Sequence, residues 1–365
     1  MSKSNTPLFS RYPSLQDKLP YISLGNFPTP LTRLEKLGDY LGIRSLYIKQ
    51  DGLSGLYGGN KVRKLEFLLG EALKGKASAV MTFGFAGSNH AAATSVYANQ
   101  IGLDCISILL QQANAQYVRD NLLVANHFSA ELHHFSGLFS AVIGSLCIRA
   151  KERILRGKSF AIIPPGGSSP LGTVGYVNAA FELYEQIYSG APKPDKIYVA
   201  LGSMGTAAGL ILGLKAAGLD SKVVAIDVAG KKFANAKKLK ELIDKTGGFL
   251  HSLDSNFPLV DISLDELRIR HEFIGEGYAH FTSEGADALT LMKETERVKL
   301  EGTYTGKALS AIIKDAPVSV KNNILFWNTY NSSDISDIIS SEDYHDIPEK
   351  FHRYFEQDVQ PLDMQ

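Results

Sequence analysis

Short apolar runs rich in β-branched residues alternate along the chain with longer segments in which apolar residues recur at the helical period. SLYIK, AVMTF and CISILL each precede such a segment, and FAIIP, KIYVAL and KVVAIDV continue the alternation. Strands that alternate with helices form mainly parallel sheets covered by helices. The pattern therefore predicts an α/β protein, and no fixed-period repeat interrupts it.

Length and charge limit the function classes. The chain has 365 residues, 44% of them hydrophobic, which is enough for two domains. Lys and Arg number 38, as do Asp and Glu, so the formal net charge is zero. No excess of basic charge is available to hold nucleic acid or an anionic membrane. A small molecule is the expected partner.

The cysteines and the two ends of the chain carry few signals. Cys105 and Cys147 lie in apolar surroundings and are interpreted as buried thiols, with no disulfide framework and no metal motif. The N-terminal sequence lacks an apolar segment followed by a cleavage site, and no window approaches the ~20 apolar residues of a membrane span. A cytoplasmic location is expected. The acidic tail, residues 340–365, is interpreted as solvated helix.

Three glycine-rich turns follow predicted strands, where ligands bind in open α/β sheets. They are LYGGNKVRK at residues 56–64, GFAGSNH at residues 84–90 and GSMGTAAG at residues 202–209. The third turn presents backbone N–H groups and two hydroxyls at a helix N-terminus, a favourable place for a phosphate. It lacks the G-K-[ST] ending of a Walker A loop and the spacing of a dinucleotide fingerprint. A tight connection that needs glycine for steric reasons is the alternative.

Lys61 follows two glycines and an asparagine, so its amine can point into a site that the backbone approaches closely. A lysine that forms a Schiff base needs a neutral amine, which burial and the nearby Arg63 and Lys64 would favour by lowering its pKa. A solvated surface lysine is the alternative for this residue considered alone.

Ser88, Asn89 and His90 stand at a predicted helix N-terminus. Their amides could hold a substrate carboxylate, while Ser88 could move a proton and Asn89 could bind a phenolic oxygen. An N-cap role explains one of the three residues. A Ser-His nucleophile pair is disfavoured because adjacent residues at a helix start point in different directions.

Several motifs together carry a family resemblance. GGNKVRKLEFLL, GSNH, IPPGGSSPLGTVGYVNAAFEL, GSMGTAAG, GYAHFTSEG and YTGKA occur in this order across residues 20–329. The chain thereby resembles the pyridoxal-phosphate enzymes that include D-cysteine desulfhydrase and 1-aminocyclopropane-1-carboxylate deaminase.

The resemblance implies the tryptophan-synthase-β-like fold, which is fold type II of these enzymes, with two three-layer α/β/α domains and mostly parallel sheets. It places a large cofactor domain at residues 1–62 plus 175–365 and a small inserted domain at residues 63–174. It also implies a homodimer and a small amino acid as substrate.

The resemblance further implies roles for individual residues. Lys61 is the lysine that binds pyridoxal 5'-phosphate, and Ser88, Tyr278 and Tyr304 are catalytic. Ser88, Asn89 and His90 would contact the substrate. The other cofactor contacts are Lys64, Asn89, Gly202, Ser203, Met204, Gly205, Thr206 and Thr329. No metal is expected.

Departures from the family pattern bear on the reaction. Thr305 stands where the ring-opening deaminases carry a glutamate beside the pyridine nitrogen, and Gly87 replaces a common glutamine. Both differences favour the desulfhydrase, which would eliminate sulfide and yield pyruvate and ammonia. Glu301-Gly302 replaces an Asp-Pro pair, and Tyr330-Asn331 replaces two glycines, which could narrow the cofactor pocket.

Other readings stay open. The 1-aminocyclopropane-1-carboxylate deaminase reaction would give 2-oxobutanoate and ammonia. A catalytically silent cofactor-binding protein, with Tyr330 blocking the substrate space, belongs to a different class. β-Replacement or racemisation would use the same fold. The base that removes the Cα proton could be Lys61, Ser88 or a tyrosine.

Overall fold

A computed structural model describes residues 6–363 of the chain. Its strands are β1 (Leu31–Arg33), β2 (Ser45–Gln50), β3 (Ala79–Phe85), β4 (Asp104–Leu110), β5 (Glu131–Phe135), β6 (Phe160–Ile163), β7 (Lys196–Leu201), β8 (Lys222–Asp227), β9 (Arg268–Arg270) and β10 (Asn323–Asn328).

The α-helices of the described part are α1 (Pro7–Arg11), α2 (Ser14–Lys18), α3 (Glu35–Leu41), α4 (Lys61–Lys74), α5 (Asn89–Gln100), α6 (Gln116–His127), α7 (Leu138–Arg156), α8 (Pro170–Tyr188), α9 (Gly205–Ala216), α10 (Ala236–Leu253), α11 (Ser283–Glu296), α12 (Thr305–Ser319), α13 (Ser336–Ser340) and α14 (Arg353–Glu356). Short 3-10 turns lie at Asp51–Leu53, Pro165–Gly167, Leu264–Glu266, Tyr344–Asp346 and Glu349–Phe351.

The strands form two sheets in the described residues. The larger has the order β1-β2-β10-β7-β8-β9, and the smaller has the order β5-β4-β3-β6. All neighbouring pairs are parallel except β1 with β2. The predicted α/β fold with mostly parallel sheets is confirmed.

The smaller sheet is built from one continuous stretch of chain. Its strands run from Ala79 to Ile163, while the larger sheet takes strands from before and after this stretch. Such an order fits a unit inserted into another, and the domain boundaries given above stay a prediction. The ends of that prediction, residues 1–5 and 364–365, lie outside the described residues.

Small residues let two buried helices pack closely beside the larger sheet. A Cβ added to Gly209 in α9 would come within 2.4 Å of Tyr176 in α8, and one on Gly213 would come within 2.6 Å of Ala180. The glycines of TAAGLILGLKAAG therefore serve the approach of α9 to α8. This packing fixes the start of α9 at the carboxyl end of β7.

Two expectations about the surface are wrong. Cys105 is buried as expected, but Cys147 is exposed, because α7 turns it outward with an apolar face. The acidic tail is not simply solvated, since Ile347, Phe351 and Tyr354 are buried in the main core.

Across residues 6–363, no helix combines the length and the apolar character needed to cross a membrane. The same residues contain no cluster of three or more His, Cys, Asp or Glu side chains suited to a metal ion.

Candidate active site

The turns after β3 and β6 of the smaller sheet meet the turns after β7, β8 and β10 of the larger sheet around one cleft. The cleft has a volume of about 350 Å³. Its walls include the predicted residues Lys61, Ser88, Asn89, His90, Gly202, Ser203, Met204, Thr206, Tyr278, Tyr304 and Thr329. Of the predicted set, only Lys64 and Gly205 lie behind the wall.

Lys61 is the first residue of α4, and its side chain reaches the cleft from the end of the loop that follows β2. Its Nζ donates a hydrogen bond of 2.8 Å to Asn60 Oδ1. Burial lowers the pKa of the Lys61 amine to about 8, against an opposing effect of the Glu301 carboxylate. The amine is therefore neutral in a useful fraction of molecules near neutral pH.

Arg63 does not act as expected. It turns away from the cleft and binds Asp51 at 2.7 Å and Glu182 at 2.8 Å, all three side chains being buried. Lys49 also pairs with Glu182, and Trp327 Nε1 donates to Asp51 at 2.7 Å. The paired guanidinium anchors the start of α4, and burial, not Arg63, lowers the pKa of Lys61.

The turn after β7 forms a cradle at the N-terminus of α9. Met204 adopts a left-handed backbone (φ +68°) directly before Gly205 begins the helix. A Cβ on Gly205 would lie 2.6 Å from Ser168 Oγ and 2.9 Å from Lys64 Nζ, so a larger residue there would displace these two side chains. A helix N-terminus with this close approach suits a phosphate group.

Lys64 closes the cradle from behind. Its Nζ donates to Gly166 O at 3.0 Å and to Ser168 Oγ at 3.2 Å, and Ser168 donates in turn to Ser203 Oγ at 2.8 Å. Burial, followed by the charge of Lys61, lowers the pKa of Lys64 well below its usual value. An anion in the cradle would restore the charged form.

The turn after β6 is part of the site, although it is not among the predicted site residues. Pro165 and Gly166 line the cleft, and a Cβ on Gly166 would lie 2.2 Å from Ser203 Oγ. Two signals could have found this turn. It lies at the carboxyl end of a predicted strand, and its residues are part of a motif that carries the family resemblance.

Ser88 is the N-cap residue of α5, and Asn89 is the first residue of the helix. Ser88 Oγ accepts the N–H of Ala91 at 3.2 Å and so caps the helix. Asn89 Oδ1 accepts from Tyr57 at 3.2 Å and from Asn121 Nδ2 at 2.8 Å. Asn89 lines the cleft, and these two bonds use its amide oxygen and leave its amide nitrogen available as a donor.

His90 is almost fully buried, at 2% exposure, on the same turn. Within the described residues, neither ring nitrogen makes a hydrogen bond of normal geometry. Burial, followed by the charges of Lys61 and Lys64, lowers the pKa of His90 well below its usual value, with a weak opposing effect of the Pro164 backbone. His90 is therefore a neutral wall residue.

Tyr278 and Tyr304 form a pair on the opposite wall, their hydroxyl oxygens 2.6 Å apart. Burial raises the pKa of Tyr278 to about 12 and raises that of Tyr304 as well. The Tyr278 ring also packs on Phe85, with 4.7 Å between ring centroids. Both hydroxyls keep their protons at neutral pH, so the pair always holds a proton to donate.

Glu301, which departs from the family pattern and is not among the predicted site residues, also lines the cleft. Its carboxylate accepts the backbone N–H groups of Thr303 (2.8 Å), Tyr304 (2.9 Å) and Thr305 (2.8 Å) at the start of α12. Burial raises its pKa, and these N–H groups oppose the shift. The Thr305 hydroxyl also bonds to Glu301 and does not line the cleft.

The other departures have local explanations. A Cβ on Gly302 would lie 2.7 Å from the Phe281 ring, which takes the space that a proline would need. Asn331 accepts the Gly58 N–H at 2.7 Å and does not line the cleft, whereas Tyr330 does. One of the two bulky side chains therefore narrows the site. Gly87 donates its N–H to Gln112 Oε1 at 2.9 Å, so a glutamine from another loop reaches this turn.

The fold and the site define a pyridoxal-phosphate enzyme. Residues 22–329 match the family described as pyridoxal-phosphate dependent enzymes, and the chain belongs to this family. A Pyrococcus furiosus protein provisionally named 1-aminocyclopropane-1-carboxylate deaminase is 36% identical over 87% of this chain and 93% of its own length. D-cysteine desulfhydrase of Serratia proteamaculans is 31% identical over 82% of this chain and 90% of its own.

Solved structures agree with the sequence relatives. The crystal structure of an ACC deaminase homologue superimposes with a TM-score of 0.75 and 32% identity, over 90% of this chain and 98% of that one. The chain therefore has fold type II, and its cofactor is pyridoxal 5'-phosphate. The cleft fits this group, because it combines a lysine amine with a glycine-lined cradle that a Cβ would fill.

Proposed function

We propose that this protein is a pyridoxal-phosphate-dependent lyase acting on a small amino acid, with D-cysteine desulfhydrase activity that yields pyruvate, ammonia and sulfide. One observation carries the proposal. A lysine amine with a pKa of about 8 lies in one cleft with Ser88 and the Tyr278–Tyr304 pair. These are the groups needed to move protons at the Cα and Cβ atoms of an amino acid.

The cofactor would be held by three sets of groups. Lys61 Nζ would bond to its aldehyde carbon, and the Gly202, Ser203, Met204, Gly205 and Thr206 turn, backed by Lys64, would hold its phosphate. Asn89 Nδ2 would donate to the ring hydroxyl, and Thr329 would face the ring nitrogen. When bound, the cofactor supplies an electron sink for negative charge at the substrate Cα.

Protein groups would then perform the remaining steps. The N-terminus of α5, with Ser88 at its cap, orients the substrate carboxylate. The amine of Lys61, released when the substrate amine takes its place on the cofactor, would accept the Cα proton, and burial favours its neutral form by lowering its pKa to about 8. The hydroxyls of Tyr278 and Tyr304 stay protonated, and the one whose proton is not used within the pair would donate a hydrogen bond to the leaving sulfur.

The choice of reaction rests on the groups near the ring nitrogen. Thr305 carries no carboxylate, and the Glu301 carboxylate is already engaged by three backbone N–H groups. Without a free carboxylate beside the ring nitrogen, loss of a good leaving group such as sulfide is favoured over ring opening. The 1-aminocyclopropane-1-carboxylate deaminase reaction is the second candidate, since the chain has relatives of both names.

A homodimer in the cytoplasm belongs to the same proposal. The outer face of α7 supports the dimer, because Leu138, Phe139, Val142, Ile143 and Leu146 are all exposed. Monomeric proteins rarely expose large contiguous apolar patches, and such patches commonly mark a protein–protein interface. Light scattering of wild type and Leu146→Glu would test it, with loss of the dimer expected in the variant.

The test of function begins with purified protein and added cofactor. Borohydride reduction followed by peptide mass spectrometry should find the pyridoxyl mass on the Lys61 peptide of wild type and not of Lys61→Ala. D-cysteine, L-cysteine and 1-aminocyclopropane-1-carboxylate are then supplied separately. Pyruvate with sulfide from D-cysteine supports the desulfhydrase, and 2-oxobutanoate from the cyclopropane supports the deaminase. Cofactor bound at Lys61 without turnover of any amino acid favours the silent binding protein.

A further inference from the structure

The last described residues of the chain, 353–363, form a strap that joins the two halves of the cleft; they are called the C-terminal strap. On one side the strap binds the segment after β4. Asn114 Nδ2 donates to Tyr354 O at 3.0 Å, and Arg119 Nε donates to the same carbonyl at 2.7 Å. The strap lies beyond residues 22–329, which match the family.

Gln360 binds the strap to the segment after Tyr278, on the opposite wall of the cleft. Its Oε1 accepts the N–H of Phe281 at 2.7 Å, and its Nε2 donates to Ala279 O at 3.0 Å. Nε2 also donates to Asn114 O at 3.3 Å. The amide thus uses its acceptor and both donor hydrogens, and it links the segment after β4 to the segment that follows Tyr278.

The segment that Gln360 binds, residues 279–281, contains an uncommon backbone conformation. Ala279 is fully buried and left-handed, with φ +65°, a conformation that residues with a Cβ rarely adopt. Such a conformation persists only where surrounding contacts determine it. Gln360 supplies two of those contacts, one at Ala279 and one at Phe281.

Tyr278 directly precedes this left-handed residue. Its hydroxyl lies 2.6 Å from that of Tyr304, and its ring packs on Phe85 of the smaller sheet. Relaxation of the backbone at Ala279 would rotate the Cα–Cβ bond of Tyr278 and separate the two hydroxyls. The position of the tyrosine pair therefore depends on a side chain far along the sequence.

We propose that Gln360 is a positioning residue that holds Tyr278 against Tyr304 by latching the left-handed backbone at Ala279. Gln360 does not line the cleft and would act through Tyr278. The proposal deepens the proposed function, on which its kinetic readout rests. Its structural readout does not depend on any activity.

The test compares Gln360→Met with Gln357→Met in the full-length holoenzyme. Gln357 is exposed on the same strap, and among described residues only its backbone is hydrogen-bonded. In Gln360→Met, amide hydrogen exchange of the peptide spanning residues 279–282 should rise about tenfold. Gln357→Met should exchange like wild type. Equal exchange in all three proteins would refute the latch.

The kinetic arm uses the amino acid that wild type turns over. The kcat of Gln360→Met should fall by up to about 100-fold, with the affinity for the cofactor unchanged. In a Tyr278→Phe background the same substitution should have little further effect, because its target is already lost. Equal losses in both backgrounds would show a general structural role and overturn the proposal.

The experiments distinguish a variant that does not fold from a wild type that turns over no amino acid. If Gln360→Met does not fold, Gln360→Glu keeps the acceptor for Phe281 and loses the donor to Ala279, so the exchange increase should concentrate at residues 279–280. An unchanged exchange there would refute the latch. If wild type turns over no amino acid, the proposed function fails, while the exchange comparison still decides the role of Gln360.

Discussion

Asn60 Nδ2 donates a hydrogen bond of 2.9 Å to Thr206 Oγ1, which ties the residue before Lys61 to the cradle at the start of α9. The amide oxygen of the same Asn60 accepts from Lys61 Nζ at 2.8 Å. One side chain therefore sets the distance between the lysine amine and the proposed phosphate site.

Asn60→Ala should lower the affinity for pyridoxal phosphate about tenfold, because both bonds are lost together. Titration of apoprotein with cofactor, followed by fluorescence, measures the change. Thr206→Ser keeps the hydroxyl and serves as the control, with an affinity near that of wild type. Equal affinities of Asn60→Ala and wild type would show that the two parts are positioned independently.

Glu301→Gln should move the pH dependence of cofactor attachment to lower pH. Burial lowers the pKa of Lys61 to about 8, and the Glu301 carboxylate opposes this by stabilising the ammonium. Removing that charge lowers the pKa further, so more of the amine is neutral at a given pH. The rate of attachment to apoprotein between pH 6 and pH 9 measures the shift. Glu294→Gln, at an exposed position of α11, should leave the profile unchanged.

Asp51→Asn should reduce the free energy of unfolding by about 3–5 kcal/mol, because it breaks a buried ion pair with Arg63 and leaves charge without its partner. Chemical denaturation measures the loss. Asp39→Asn, at the exposed end of α3, is the matched control and should change stability little. A small effect at Asp51 would mean that Glu182 alone satisfies the guanidinium.

The same ion network should make stability depend on pH in the acid range. Burial by itself raises the pKa of Glu182, but the charges of Arg63 and Lys49 prevail and lower it from 4.5 to about 2. Its contribution is present above pH 4.5 and is lost as pH falls towards 2. The free energy of unfolding should therefore fall more steeply from pH 5 to pH 3 in wild type than in Glu182→Gln. Parallel slopes would contradict this.

Tyr330→Gly should widen the cleft and lower the KM for amino acids with bulkier side chains, since Tyr330 lines the wall. Asn331→Gly is the contrasting variant. Asn331 accepts the Gly58 N–H at 2.7 Å outside the cleft, so its loss should reduce stability without changing the order of substrate preference. Steady-state kinetics over a series of amino acids separates the two effects.

Most of the predicted site residues line one cleft because their positions follow a topological rule. Parallel strands bring their carboxyl ends to one edge, so the turns that follow β3 and β7 meet although Ser88 and Gly202 are far apart in sequence. β10 was missed as a strand, although its apolar NILFW run supplies the signal.

Contacts between distant side chains were not predictable from local pattern. The sequence places the charge of Arg63 close to Lys61. Its partners Asp51 and Glu182 become its neighbours only in the folded chain. Cys147 lies in an apolar helix, and its apolar surroundings predict a buried position. Its exposure depends on which face of α7 packs on the smaller sheet. From the sequence, the C-terminal strap is interpreted as a polar tail. The side chain of Gln360 binds backbone atoms, and such hydrogen bonds leave no pattern in the sequence of the segment that is bound.

The position of β10 inside the larger sheet has a consequence for synthesis on the ribosome. β10 lies between β2 and β7, and Asn323 pairs with Ser45. The smaller sheet can close as soon as Ile163 has emerged, since all its strands precede that point. The larger sheet cannot be completed before residue 328 is translated. Until then, the edge of β2 that pairs with β10 has no partner. Nascent chains should therefore carry a folded small unit and an exposed, unpaired β2 edge, which makes the unfinished protein a substrate for chaperones.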